Sequence, residues 1–126
     1  MSPKRPFPSD IVSAIHKAKI LGIKAGSEPH RFIGVWVVVA ERRVFVRSWS
    51  VKPRGWYATF LEESSGAMSV DGREMPVRAV HTTSERLKDA VDRAYAEKYK
   101  TPAAMKYVRD LCGTKSRATT TELVPA

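Results

Sequence analysis

The stretch Arg47-Ser48-Trp49-Ser50-Val51-Lys52-Pro53-Arg54-Gly55-Trp56-Tyr57 has the densest chemistry in the chain. It holds three cations, Arg47, Lys52 and Arg54, and three aromatic side chains, Trp49, Trp56 and Tyr57. Cations attract phosphate, and arginine meets it with two parallel donors. Indole rings offer flat faces to other rings. The stretch runs out of a predicted strand, through a loop and into a predicted helix, whose first N–H groups favour an anion. Phosphate contacts combined with ring stacking suit a phosphorylated cofactor, and they suit single-stranded nucleic acid as well. Ser48 adds a hydroxyl, and Arg31, ahead of an earlier strand, is a further candidate cation. The plainer role for Trp56 and Tyr57 is to pin the helix to the sheet.

Arg47 stands out because it lies among apolar strand residues. With side chains alternating, Phe45, Arg47 and Trp49 share one face, and Val44, Val46 and Ser48 the other. If the valines fill a core, Arg47 points outward, toward the helix start near Pro53 and Trp56 or toward a second subunit. A partly buried cation needs an anion. A bound phosphate is the expected counter-ion, with Glu74 or Glu97 as the intramolecular alternative.

Other chemistries find no support. The sequence has no glycine-rich phosphate loop, no Gly-x-Ser-x-Gly and no His-Glu-x-x-His. His16, His30 and His81 fall on a helix, a loop and a strand without a nucleophile beside them, and they form no metal-ligand pattern. Cys112, near a helix C-terminus, lacks the dipole that favours a thiolate and reads as a packed thiol. No catalytic acid or base can be named. Redox chemistry on this chain would come from a bound cofactor, with the protein supplying orientation and charge.

The elements that would position these residues follow from periodicity. Residues 1–8 carry three prolines and are expected to be flexible; a single domain is expected over 9–126. Ser9 reads as an N-cap and Gly22 as the stop of a helix whose face is Ile11, Ile15 and Ala18. Residues 24–30 read as a loop. Two strands follow, from Arg31 to Ala40 and from Val44 to Ser50, joined by a polar turn as a hairpin. A helix is expected over residues 53–64. Asp71-Gly72 marks a second hairpin. Thr82-Thr83-Ser84-Glu85 opens a helix bearing Leu87, Val91 and Tyr95. Thr101-Pro102 opens another, ended by Gly113. Residues 118–124 form a last strand. Five strands in hairpins with intervening helices predict an α+β fold, a small antiparallel split β-barrel with helices packed outside.

At 126 residues the chain is the size of one domain and can bury a core. No apolar run approaches the ~20 residues of a membrane helix, so no membrane partner is expected. A lone cysteine excludes an internal disulfide, and with no export signal at the N-terminus the expected location is cytoplasmic. The net charge is +9. Residues 1–56 hold 11 Lys/Arg against 3 Asp/Glu, and residues 57–126 hold 11 against 10, so the excess lies in the first half. Such a field attracts phosphate-bearing partners.

Several of these segments together resemble a bacterial family of unknown function, DUF2255. They are Val35-Trp36-Val37-Val38, Val44-Phe45-Val46-Arg47-Ser48-Trp49, Gly55-Trp56-Tyr57 and Val70-Asp71-Gly72-Arg73-Glu74, then Asp89-Ala90-Val91-Asp92 and Arg117-Ala118-Thr119-Thr120. More distantly, the order of elements is similar to the split β-barrel flavoproteins, notably the deazaflavin-dependent nitroreductase group. Ser48, Lys52 and Trp56-Tyr57 fall where that group binds a cofactor phosphate. The resemblance implies a homodimer and a flavin- or deazaflavin-binding oxidoreductase. FMN or the deazaflavin coenzyme would be held by Arg47, Ser48, Lys52 and Arg54, with Arg31 further out and Trp49 or Trp56 against the ring. Those relatives usually carry Gly-Gly in the loop where this chain has Trp49-Ser50-Val51, so the fold kept without a cofactor is the other outcome. The alternative function is a non-enzymatic binding module for nucleic acid or another phosphate-bearing ligand.

Overall fold

Alternation along the strands gives the sheet two apolar faces, one turned into a barrel and one covered by helices. The computed structural model describes residues 7–27, 31–49 and 55–126. In chain order the elements are α1 (Ser9–Lys17), β1 (Leu21–Ala25), β2 (Ile33–Val35), β3 (Val37–Ala40), β4 (Arg43–Val46) and α2 (Trp56–Glu62). Then come β5 (Ser65–Val70), β6 (Arg73–His81), α3 (Glu85–Lys98), α4 (Pro102–Leu111), α5 (Thr114–Arg117) and β7 (Thr121–Pro125).

The strands form one sheet in the order β2-β1-β5-β6-β7-β4-β3, with every pair antiparallel. Its two end strands are consecutive in the chain, separated by Trp36 alone. One run from Ile33 to Ala40 therefore pairs with β1 at its start and with β4 at its end, nearly closing a barrel. Val37, Val44 and Val46 face a core shared with Ile11 and Ile15 of α1 and Trp56 and Phe60 of α2. Val38 and Phe45 face the other way, beneath Val91 and Tyr95 of α3 and Val108 and Leu111 of α4.

The α+β antiparallel barrel is the expected one, with seven strands among the described residues rather than five. Residues 21–25, read as the end of a helix and the start of a loop, form β1. Leu21, Ile23 and Ala25 are buried and alternate with Gly22 and Lys24. Gly22 stops no helix; it pairs with Gly34 and Ser69. The helix ends at Lys17, and Pro8 rather than Ser9 takes its N-cap position. The strand expected from Arg31 to Ala40 is split at Trp36, and α5 was not anticipated. Only α3 and α4 pack on the outer face as foreseen, while α1 and α2 join the inner core. Phe7, from the leading segment, is buried in that core.

Turn and cap chemistry behaves as predicted elsewhere. Asp71 and Gly72 both have positive φ, 51° and 75°, as a two-residue type I′ turn requires. Ser84 accepts from Leu87 N and Thr101 from Ala104 N, so both N-caps form.

A candidate anion-binding cleft

Arg47 does lie on the same face as Phe45, but it points beneath α3, α4 and α5 instead of toward α2. It is 1% exposed. Its Nε donates to Thr120 Oγ1 (2.8 Å), one terminal nitrogen to Asp92 Oδ1 (2.5 Å) and Leu111 O (3.0 Å), and the other to Lys88 O (3.0 Å). The counter-ion is thus Asp92, neither a bound phosphate nor Glu74 nor Glu97. Asp92 also receives Arg117, which reaches Asp89 and Glu85 as well. These acids push the Arg117 guanidinium further up. Arg47 ties β4 to α3 and α4 and is committed to the fold.

The other predicted residues are dispersed. Trp56 is buried in the inner core, edge-on to Phe60. Ser48 is buried, its N–H donating to Thr119 Oγ1. Arg31 is exposed ahead of β2. Lys52 and Arg54, with Pro53, lie outside the described residues. Trp49 is 44% exposed and packs edge-on against Trp36 (5.5 Å between ring centres) and Tyr107 (6.1 Å). Cys112 is half-buried, and burial pushes its thiol up, the direction of an unreactive group.

An open concavity lies elsewhere. A cleft of about 640 Å³ opens where the C-terminal ends of α1 and α3 meet the start of α4. His16, Lys17 and Lys19 line it from α1 and the residues after it, and Lys98 and Lys100 from the end of α3. Glu97 is the one acid on its wall. None of the ion pairs among the described residues engages His16, Lys17, Lys19 or Lys100. Elsewhere arginines take the acids: Arg43 with Glu122, Arg47 with Asp92, Arg73 with Asp10 and Arg86 with Glu41. His16, Lys17, Lys19 and Lys100, outside all of these pairs, gather around one opening.

Lys98 anchors the floor of the cleft. Its ammonium donates to Val37 O (2.7 Å) and Ile15 O (3.1 Å). Burial lowers its pKa to about 8. The Tyr99 hydroxyl donates to Lys19 O (2.7 Å) and accepts from Val37 N (3.1 Å). Burial raises that phenol to about 12, so it stays a neutral donor at physiological pH. The end of α3 therefore satisfies both backbone groups of Val37 that face away from β4.

A smaller constellation joins Tyr57 and His81. The Tyr57 hydroxyl lies 3.1 Å from His81 Nε2, which is 3.0 Å from Ala118 O. The adjoining cavity is only about 20 Å³, too small for a substrate. Among the described residues no group of three or more His, Cys, Asp or Glu can hold a metal ion, and no helix is long and apolar enough to cross a membrane.

Residues 11–123 match the model of a family described as an uncharacterized protein conserved in bacteria. The chain belongs to DUF2255. Among solved structures, this DUF2255 member is similar to the conserved hypothetical protein Rv2991 from Mycobacterium tuberculosis, with a TM-score of 0.59 and 10% identity over 100% of this chain and 83% of that one. That likeness concerns the fold alone. No curated protein matches the DUF2255 chain.

Sequence reasoning did not single out the cleft residues. His16-Lys17 and Lys98 end their helices, where cations favour the macrodipole and need no other explanation. The available signal was the pair of short basic runs, His16-Lys17-x-Lys19 and Lys98-x-Lys100, both placed at helix ends. Only the fold brings one against the other, across the 78 residues that lie between Lys19 and Lys98.

Proposed function

We propose that the protein binds a phosphate-bearing small molecule in the cleft between the ends of α1 and α3. One observation carries the reading: His16, Lys17, Lys19 and Lys100 converge on an open concavity whose wall has a single acid. Three lysines outside the ion pairs of the described residues, gathered in this way, are an electrostatic trap for a multiply charged anion. FMN and the deazaflavin coenzyme are the first organic ligands to offer, because the split-barrel flavoprotein resemblance names them and both carry phosphate. Arg47 and Trp56 serve the fold and do not fit the cofactor roles expected of them; the cleft fits the phosphate. A flavin supplies hydride chemistry when bound, and the chain's own part is charge and orientation.

Titration calorimetry with inorganic phosphate, pyrophosphate, FMN and the deazaflavin coenzyme tests the reading. The double variant Lys17→Glu/Lys100→Glu is expected to lower affinity tenfold or more, since each charge-assisted contact is worth about 1.5–3 kcal/mol. Arg42→Ala, in the β3–β4 turn, is expected to leave it unchanged. Absence of binding at millimolar ligand, or affinity indifferent to the double variant, overturns the reading. Salt-sensitive binding of an oligonucleotide without affinity for any small phosphate puts a nucleic-acid module in its place. The homodimer implied by the resemblance is a separate proposal, checked by light scattering.

A further inference from the structure

Resting on that reading of the cleft, we infer that the ligand carries a flat heteroaromatic ring, and that the ring seats in the corner between Trp49 and Tyr107, face-on to one and edge-on to the other, while the phosphate occupies the cleft. Trp49 and Tyr107 are the two most exposed aromatic side chains described, at 44% and 45%. They stand nearly perpendicular to each other, at 88°, and both lean edge-on against Trp36. Trp36 is itself stacked flat on Tyr99, with ring centres 4.0 Å apart and planes within 5°. The exposed rings are thus held from behind and have little freedom to lose on binding. Exposed rings fixed at right angles form a corner platform that offers a flat ligand one face to stack on and one edge to meet.

Two connections join the platform to the cleft. Tyr99 belongs to both, lining the cleft and backing Trp36. Helix α4 also belongs to both: Thr101 and Ala104 line the cleft, and Tyr107 follows Ala104 by three residues on the helix surface. At 1.5 Å per residue, Thr101 and Tyr107 lie about 9 Å apart along the axis. That is the reach of a nucleotide-like ligand, with sugar or ribityl chain between ring and phosphate. The Lys106 ammonium lies 5.5 Å from the Tyr107 ring centre, which keeps the platform within the positive field.

The test compares ligands that share a phosphate and differ in the ring: ribose 5-phosphate, adenosine 5′-monophosphate and FMN. Calorimetry is paired with quenching of tryptophan fluorescence. Either ring-bearing ligand is expected to bind about tenfold more tightly than ribose 5-phosphate, and to quench the fluorescence. A preference for FMN over the adenine nucleotide assigns a flavin-sized ring, and the reverse a purine. Trp49→Ala and Tyr107→Ala, made separately so that one folding defect cannot decide the outcome, are each expected to remove this gain and leave ribose 5-phosphate binding intact. Equal affinity for ring-bearing and ring-free phosphates, all weakened by Lys17→Glu/Lys100→Glu, overturns the ring while the cleft stands. Ring-dependent binding indifferent to that double variant overturns the single site. No binding by any of the three overturns both.

Discussion

Arg47 shows how a residue can be recognised as unusual from sequence and still be misassigned. Its position among apolar strand residues predicts a buried cation that requires an anion, and it is buried. Its partner, Asp92, is 45 residues away on α3, and nothing in the local sequence announces the pairing. Three further acceptors are a hydroxyl and two carbonyls, groups every segment offers. Because its side chain is fully enclosed, removing the guanidinium leaves Asp92 to Arg117 alone and takes a donor away from Thr120 Oγ1, Leu111 O and Lys88 O. Arg47→Met is therefore expected to destabilise the protein by about 1–3 kcal/mol, as measured by urea unfolding. Arg42→Ala, exposed in its turn, is expected to fall within about 0.5 kcal/mol of the parent. Phosphate affinity in the folded fraction of Arg47→Met should match the parent. The cations of the cleft were illegible for a related reason. A lysine ending a helix has a sufficient local role, and only tertiary placement gives it a second one.

The elements were most legible where local chemistry is decisive. Asp71-Gly72 fixes a turn, Ser84 and Thr101 cap helices through their own hydroxyls, and the valine run fixes β3. β1 escaped notice because glycine and lysine at alternate positions dilute its pattern, and because Ala18 extends a helical face just before it. It is held as a strand by neighbours on both sides, β2 and β5. The β1–β5 contact depends on Gly66. A Cβ there would collide with Lys24 O and come within 2.8 Å of the Phe60 ring of α2. Gly66→Ala is expected to cost about 1–3 kcal/mol through overpacking. Thermal unfolding of Gly66→Ala beside Gly72→Ala separates a steric cause from a backbone one. The added methyl at Gly72 meets nothing within 4 Å, and its strain comes from a φ of 75°.

For the whole molecule, the meeting of α3 with the barrel makes stability respond to alkaline pH. The buried environment of Lys98 disfavours its ammonium and sets its folded pKa near 8, below the ordinary 10.5. Between those values the unfolded chain holds more protons than the folded one, so stability rises with pH through that window. Below pH 8 the full cost of enclosing the charge is present. The neutral amine keeps two N–H donors for Val37 O and Ile15 O, so the attachment survives deprotonation. Above pH 10 the trend reverses, because burial raises the phenols of Tyr95 and Tyr99 and the unfolded tyrosines ionise first. Urea unfolding from pH 7.5 to 10 is expected to show the rise in the parent and a flatter profile in Lys98→Met. The same attachment bears on how copies of the protein meet. An open sheet end presents bare N–H and C=O groups on which a passing strand can assemble. Here the one end strand has three residues, and at the other Val37 is already occupied by Tyr99 and Lys98. The barrel thus leaves little exposed backbone on which a second molecule could add a strand, and its resistance to edge-to-edge aggregation depends on two side chains at the end of a helix.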